Sequence, residues 1–443
     1  MRALVYGLAV AGEATAKALI ARGWDVEVAD DRPTDDAQSR CAALGATWLA
    51  APASASLDKL VRRFDLVAPS PGIPEGHRVI SAAISHEVPV RSEIDLAWEW
   101  EQSRPDGPRP MLAVTGTDGK TTTTLMAVEM LREAGVRAID AGNTDTPLVA
   151  ALDMDVDVFV VECTSFRLAW TTCFAPQAAV WLNLAEDHQD WHASMRTYRA
   201  AKARMWRFQQ PTDVVIGFLD DDIVMTELAS ARARHRAFGL TLADYRRRGE
   251  QLIGPDGPIA DISVMRRSLP HDITNALAAS SLVLEAGLAG SEAIIGALAS
   301  FEGAPHRIQL VGELDGVRYY DDSKATTPHA ALTAIRAFDD VVLIAGGKNK
   351  GLDLAPMASE PGRMRAVVAI GLAGDLIADQ FDGLCSVVRA ASMDEAVQLA
   401  TTMARPGDVV LLSPGCASFD MYTGYPARGA DFARCVVELI ERS

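Results

Sequence analysis

The chain lacks the features that would place it in several broad classes. No apolar run is long enough to span a bilayer, and no basic segment followed by an apolar core opens it. Its six cysteines (Cys41, Cys163, Cys173, Cys385, Cys416, Cys435) include no CxxC pair and no metal-finger spacing, so reduced, packed thiols are expected. No internal repeat or low-complexity tract stands out. Positive charge is scarce: 42 Lys and Arg against 59 Asp and Glu give a formal net charge of −17. That balance disfavours nucleic-acid binding and membrane insertion, and any anionic substrate must be held by local basic groups. A soluble cytoplasmic protein is expected.

With 49% hydrophobic and 23% charged residues, the composition is that of a globular protein. At 443 residues, it exceeds what one core usually serves, so two or three domains are expected. The most informative stretch is Met111-Leu-Ala-Val-Thr-Gly-Thr-Asp-Gly-Lys-Thr-Thr-Thr-Thr124. Met111 to Val114 reads as a buried strand and Gly116 to Thr121 as the turn leaving it. Leu125, Met126, Val128 and Leu131 then share one helical face, with Gly135 as a stop. A glycine loop between strand and helix lets backbone N–H groups surround a phosphate at the positive helix end. Lys120 would neutralise the outer phosphates of ATP, and the Thr121 hydroxyl would bind Mg²⁺. The full pattern asks for glycine five residues before Gly119; Val114 stands there, so the match is to a shortened variant.

The opening, Ala3 to Gly12, reads as strand, turn and helix start, with a second strand at Asp25–Ala29 ending at Asp30, Asp31 and Arg32. The dinucleotide fingerprint appears as Gly7-x-Ala9-x-x-Gly12, with alanine at its second glycine, so a Rossmann-like scaffold is as good a reading as NAD binding. Strands are also expected at Leu66–Ile73, Val156–Val161 and Ala178–Leu182, and later at Val341–Ala345, Ala366–Ile370 and Asp408–Leu412. Boundaries fall in the Pro/Gly-rich stretch Ser103 to Pro110 and near Gly303. Strands alternating with helical stretches imply mainly parallel sheets, hence α/β.

Glu162 ends a strand and suits a Mg²⁺ ion, though a surface acid capping the next element has the same appearance. His188 follows another strand, either as a metal ligand or as an incidental histidine in an acidic loop. Lys202, in Tyr198-Arg-Ala-Ala-Lys202, reads on its own as a solvated surface lysine. In the last segment, Lys324 with its neighbouring acids and hydroxyls, Lys348 with Lys350, and Ser413 to Ser418 each follow a strand. Three strand ends of one sheet converging on one edge would offer cations and hydroxyls to a small dicarboxylate.

The ordered set of motifs resembles the Mur ligase family of ATP-dependent amide-bond ligases, over essentially the whole chain. It comprises TGTDGKT (115–121), VVECTSF (160–166), EDHQDW (186–191), YRAAK (198–202), HDITNALAA (271–279), APHR (304–307), DDSKAT (321–326), GGKNKG (346–351) and LLSPGCASFD (411–420). The resemblance implies three domains: a Rossmann-like UDP-substrate domain (1–96), a central phosphate-loop ATPase-type domain with a mainly parallel sheet (97–302) and a Rossmann-like amino-acid domain (303–443). It implies ATP phosphates on Gly116, Thr117, Asp118, Gly119, Lys120, Thr121 and Thr122, with Asn275, Arg307, Asp322 and Lys324 on the rest of the nucleotide. Two Mg²⁺ ions would lie near Thr121, Glu162, His188 and Lys202, the lysine as a CO₂-derived carbamate. Lys120, Glu162, His188 and Lys202 form the implied catalytic set. The UDP substrate maps to Val10, Ala11, Asp30, Asp31, Arg32, Ser70 and Asn143, and glutamate to Thr326, Lys350, Ser418 and Tyr425.

The implied activity is addition of D-glutamate to UDP-N-acetylmuramoyl-L-alanine by a monomer, in peptidoglycan precursor synthesis, with L-glutamate addition as the alternative. Folate or cyanophycin-like ligation, a dehydrogenase and a nucleotide-dependent switch are the other readings the residues allow. The departures from the family pattern are Asp118 in the phosphate loop, Asp145 where the Gly142-Asn-Thr-Asp loop ordinarily ends in glycine, and the added cation Lys348.

Overall fold

The strand at Met111–Thr115 lies between two parallel neighbours, Val158–Glu162 and Ala178–Trp181, so both of its faces must be covered. Leu112 and Val114 pack on one side, with Met126, Val128 and Leu131 of the helix Lys120–Glu133 and with Ile273 and Leu277 of Pro270–Glu285. Met111 and Ala113 pack on the other side, in a core continuous with Ala3, Val5, Val26 and Val28. Each such buried Val or Leu side chain stabilises by ~1.5–3 kcal/mol. Gly135 ends the Lys120–Glu133 helix at φ 78°, donating its N–H to Arg132 O.

The computed structural model describes residues 1–31, 33–50, 57–303 and 305–442. Among them three sheets form. The first has four parallel strands in the order Thr47–Trp48, Asp25–Ala29, Arg2–Tyr6, Leu66–Pro69. The second has nine: seven parallel strands run from Ala138–Gly142 through Met111–Thr115, Val214–Phe218 and Arg234–Gly239 to Tyr245–Arg248, from which Gln251–Gly254 and Gly257–Asp261 continue antiparallel. The third has six, with Val317–Asp321, Val409–Gly415 and Val341–Gly346 adjacent and parallel. The α/β expectation of three mainly parallel sheets is met. Antiparallel hairpins at 245–261 and 309–321 are additions to it. The second turns through Asp315 and Gly316, both at positive φ (51° and 77°), as a tight two-residue hairpin requires.

The chain separates into two compact units, residues 1–268 with 272–301 and residues 269–271 with 302–443. The first carries the four- and nine-stranded sheets. The Pro/Gly-rich stretch between them is pinned rather than loose. Glu101 accepts from Arg109 Nε and Nη2 at 2.8 Å each, and the guanidinium lies 4.5 Å from the Phe159 ring centroid. Asp95, fully buried, accepts from the N–H groups of Thr172, Cys173 and Phe174.

Candidate active site

The phosphate loop leaves its strand at Gly116 and enters its helix at Gly119, whose φ of 82° a side chain would strain. A Cβ there would also meet Asn275 Oδ1 at 2.7 Å, which puts Asn275 against the loop. Asn183, at the end of the neighbouring strand, shapes the loop. Its Oδ1 accepts from the N–H groups of Thr117 and Asp118 at 2.9 Å each, and its Nδ2 donates to Asp118 O at 3.2 Å. Asn183 was legible only as a polar residue after a strand.

Two lysines converge on this loop. Lys120 Nζ donates to Gly116 O at 2.9 Å and Thr117 O at 2.6 Å. Lys202 Nζ donates to the same Gly116 O at 2.6 Å and lies 4.7 Å from the Tyr198 ring centroid. Lys202 is 1% exposed, so the surface reading of this residue is overturned. Burial, and then the nearby Lys120 charge, hold its pKa well below the ordinary lysine range. Asp187 and Asp118 oppose that shift in part. The Asp118 carboxylate, unhelpful beside phosphate, therefore acts on the Lys202 charge.

Glu162 ends the adjacent strand at 1% exposure. Its Oε1 accepts from Asn143 Nδ2 at 2.7 Å, whereas Oε2 is buried without a protein hydrogen-bond partner. Asn143 itself is exposed, at a turn where Gly142 takes φ 91° opposite Glu162 in register. His188 adopts φ 56°, a left-handed conformation that few side chains other than Asn, Asp and His enter, with its N–H donating to Asp187 Oδ1. Its ring packs edge-on to Phe166 at 4.6 Å and to Tyr198 at 6.0 Å. Thr121 stands in the first turn of the Lys120–Glu133 helix, followed by buried Thr122. The fold thus gathers Lys120, Thr121, Glu162, His188 and Lys202 at the carboxyl edge of one sheet. Among the described residues no three His, Cys, Asp or Glu side chains form a ready-made metal cluster. The unpartnered Glu162 Oε2 and the Thr121 hydroxyl are nevertheless hard oxygen donors, the type that suits Mg²⁺.

At the first sheet, the strand ends at Tyr6, Ala29 and Pro69 bring Val10, Ala11, Asp30, Asp31 and Ser70 to one edge. Arg32 lies outside the described residues. Val10 is 68% exposed, and Ala11 is buried. Ser70 Oγ donates to Gly7 O at 2.6 Å, and Asp30 Oδ2 accepts from Leu8 N–H at 3.0 Å. Asp31 accepts from Tyr6 O–H at 2.7 Å and contacts His77 Nε2 at 2.8 Å. These contacts hold Asp31's pKa below the ordinary range despite its desolvation. A Cβ at Gly12 would meet Gly7 O at 2.0 Å, so this glycine serves close packing of helix on turn. The loop beyond Ser70 reaches the segment that carries His188. Trp191 Nε1 donates to Pro71 O at 2.8 Å, and Glu75 pairs with His192 Nδ1 at 2.9 Å.

In the second unit the three expected strand ends share one edge. Arg428, missed in the sequence, ties them together at 2% exposure. It donates to Ser323 Oγ at 3.0 Å, Ser323 O at 2.8 Å and Cys416 O at 3.1 Å. Desolvation lowers its pKa to about 10. The Lys348 and Ala417 backbones pair across the loops, leaving the Lys348 and Lys350 side chains exposed and Ser418 buried. Lys324 Nζ lies 4.0 Å from the Tyr425 ring centroid, Thr326 is half-buried, and Arg307 stands beside His306. Asp322 is buried and accepts from Ser413 Oγ at 2.7 Å and Ile308 N–H at 3.3 Å, so both its oxygens are already engaged.

Comparison with known proteins bears on this geometry. Residues 114–283 match the Mur ligase middle domain, and residues 306–416 match the Mur ligase glutamate ligase domain. A UDP-N-acetylmuramoylalanine–D-glutamate ligase of Frankia casuarinae is 41% identical, covering 98% of this chain and 93% of the relative. The chain belongs to the Mur ligase family. A protein of the same name from Pelotomaculum thermopropionicum is 35% identical, covering 99% and 98% of the two chains. Among solved structures, a MurF ligase from Thermotoga maritima in complex with ADP superposes with a TM-score of 0.59 at 17% identity, covering 88% of this chain and 92% of that one. At that identity the likeness to this Mur ligase is one of fold. No helix of the described residues is long and apolar enough to cross a membrane.

Proposed function

We propose that this Mur ligase joins D-glutamate to UDP-N-acetylmuramoyl-L-alanine at the expense of ATP, releasing ADP and phosphate, in peptidoglycan precursor synthesis. The observation that carries this reading is near-full-length identity of 41% and 35% to proteins named for that reaction. Both names specify D-glutamate, which favours it over the L-glutamate alternative.

A carboxylate resists attack by an amine because oxide is a poor leaving group. Transfer of the γ-phosphoryl group to the acceptor carboxylate gives an acyl phosphate and ADP. The glutamate amine then attacks the carbonyl carbon, forming the C–N bond. Phosphate leaves with the carbonyl-carbon–oxygen bond electrons, and the amine gives up its proton. Lys120 offsets charge on the transferring group, and the loop N–H groups orient it. Thr121 and Glu162, with His188 and Lys202 nearby, would hold Mg²⁺, two ions being proposed, which when bound would add charge neutralisation at the phosphates.

Lys202 supports the carbamate reading. Its amine is buried with one hydrogen bond, to a carbonyl, and burial favours the neutral form that can attack CO₂, yielding a carbamate and a proton. Glutamate is assigned to Thr326, Lys350, Ser418 and Tyr425, and the nucleotide to Gly116–Thr122, Asn275, Arg307 and Lys324. Asp322, each of whose oxygens accepts one hydrogen bond and keeps a further lone-pair site, is assigned to the nucleotide as well. The UDP substrate is assigned to Val10, Ala11, Asp30, Asp31, Arg32, Ser70 and Asn143. The division at 96/97 and 302/303, a monomeric state and a cytoplasmic location complete the proposal.

Phosphate release measured with UDP-N-acetylmuramoyl-L-alanine and ATP tests it. Release is expected with D-glutamate and not with L-glutamate or other amino acids. Release with none of them overturns the reading.

A further inference from the structure

Glu162 presents one oxygen that is hydrogen-bonded and one that is buried without a partner, and a run of side chains reaching away from the phosphate loop decides which is which. The run begins at Glu93, 2% exposed, in the first turn of the helix Glu93–Gln102. Its Oε2 accepts from Val149 N–H at 3.2 Å, and its Oε1 accepts from Arg167 Nε at 2.9 Å. Arg167, 6% exposed, then donates Nη1 to Asn143 Oδ1 at 2.8 Å. A guanidinium can only donate, so this bond fixes the orientation of the Asn143 amide. The oxygen faces Arg167, and Nδ2 must face Glu162, where it donates to Oε1 at 2.7 Å. The backbone reinforces the pairing, since Asn143 N–H donates to Glu162 O at 2.9 Å.

We propose that Arg167, anchored by Glu93, is a positioning residue that acts through Asn143 to hold Glu162 with Oε2 turned toward a divalent cation. The proposal rests on the metal-dependent ligase reading above. Without Arg167 the Asn143 side chain loses the bond that anchors its oxygen, and its Nδ2 donor can leave Glu162 for water. Glu162 then loses the bond that commits Oε1, and each arrangement of the carboxylate competes with the one that meets the cation. Partners one step removed from a metal ligand typically change affinity by about 10–100-fold. The resemblance assigns Asn143 to the acceptor substrate; on the present reading its first partner is Glu162, and its loss is felt by the metal.

The test measures Mn²⁺ binding to the full chain with a non-hydrolysable ATP analogue, from the paramagnetic resonance of free Mn²⁺. Asn143→Ala changes an exposed residue, and the pair Arg167→Met with Glu93→Gln removes cation and anion together. Each is expected to weaken Mn²⁺ binding about tenfold, at the low end of the usual range. Combined, they are expected to be no weaker than Asn143→Ala alone, because Arg167 acts through Asn143. Weakening smaller than threefold in Asn143→Ala overturns the relay, and so do effects that multiply in the combination. Should the charge-pair variant fail to fold, Asn143→Ala decides alone. If the unmodified chain does not bind Mn²⁺ with the nucleotide, the ligase reading falls along with the relay, whereas binding in the unmodified chain with no loss in Asn143→Ala removes the relay only.

Discussion

At the edge of the central sheet Lys202 is 1% exposed and shares the Gly116 carbonyl with Lys120, whereas at the edge of the C-terminal sheet Lys348 and Lys350 stand in solvent. The first edge buries Lys202 and Glu162, with Lys120 half-buried beside them, and leaves Glu162 Oε2 without a protein partner. The second buries only its scaffold, Arg428 and Asp322, and offers its lysines to whatever arrives. Desolvated charge is costly to hold but acts strongly on a reacting group, because little solvent screens it. Exposed charge is cheap and screened, which suits capture of a small anionic ligand over stabilisation of a transition state. Lysines at the two edges should therefore fail differently.

The largest effect is expected at Lys120. Its replacement by alanine should lower kcat by about three orders of magnitude, ~4 kcal/mol of transition-state stabilisation. The fold should survive, since Lys120 caps loop carbonyls that water can serve instead. Thermal melting alongside phosphate release checks both halves, and near-normal turnover would erase the difference between the edges.

Next in size is Arg428→Met. It leaves Ser323 O and Cys416 O buried with a donor missing, at a cost of about 3 kcal/mol. Denaturant unfolding should show the loss in residues 302–443, with the Lys120 loop undisturbed. A loss below about 1 kcal/mol would mean that the strand ends do not depend on this one cation.

Lys350→Ala should do less. KM for glutamate is expected to rise about tenfold with kcat within twofold, the signature of binding lost equally in ground and transition states. A fall in kcat matching that for Lys120→Ala would place both lysines in the chemistry and end the comparison.

The same contrast explains what the sequence could show. The helix Lys120–Glu133 and the parallel strands were legible because apolar period and glycine punctuation are local signals. The strand Tyr245–Arg248 was not, because three arginines break the alternation that marks a half-buried strand. Lys202 misled for a related reason. Arg199, Arg204 and Arg207 on the same helix make the segment look solvated, and the carbonyl that Lys202 meets lies 86 residues upstream. Asn183, Arg167 and Arg428 were missed likewise. Their hydrogen-bond partners are 65, 74 and 105 residues away, and no short-range pattern records such pairings. The exposed lysines of the C-terminal edge, by contrast, follow directly on a strand and a glycine pair, and could be read as they stand.

A change of pH rather than of residue tests the scaffold of that second edge. Burial pushes the Asp322 carboxyl from an ordinary 3.8 up to about 7, with the Ser413 hydroxyl and Arg307 only partly opposing. Between those two values the folded chain keeps a proton that the unfolded chain has released. Raising the pH across that window therefore weakens the fold, by at most ~1.4 kcal/mol per pH unit, and the loss levels off above pH 7. Asp322→Asn retains an oxygen for Ser413 but carries no charge, so its stability should be flat where that of the parent declines. Melting temperatures of both proteins from pH 5 to pH 8 make the comparison. Parallel curves would show that Asp322 stays ionised in the fold, and the C-terminal edge would then hold a buried carboxylate along with Arg428, as the central edge holds Glu162 along with its lysines.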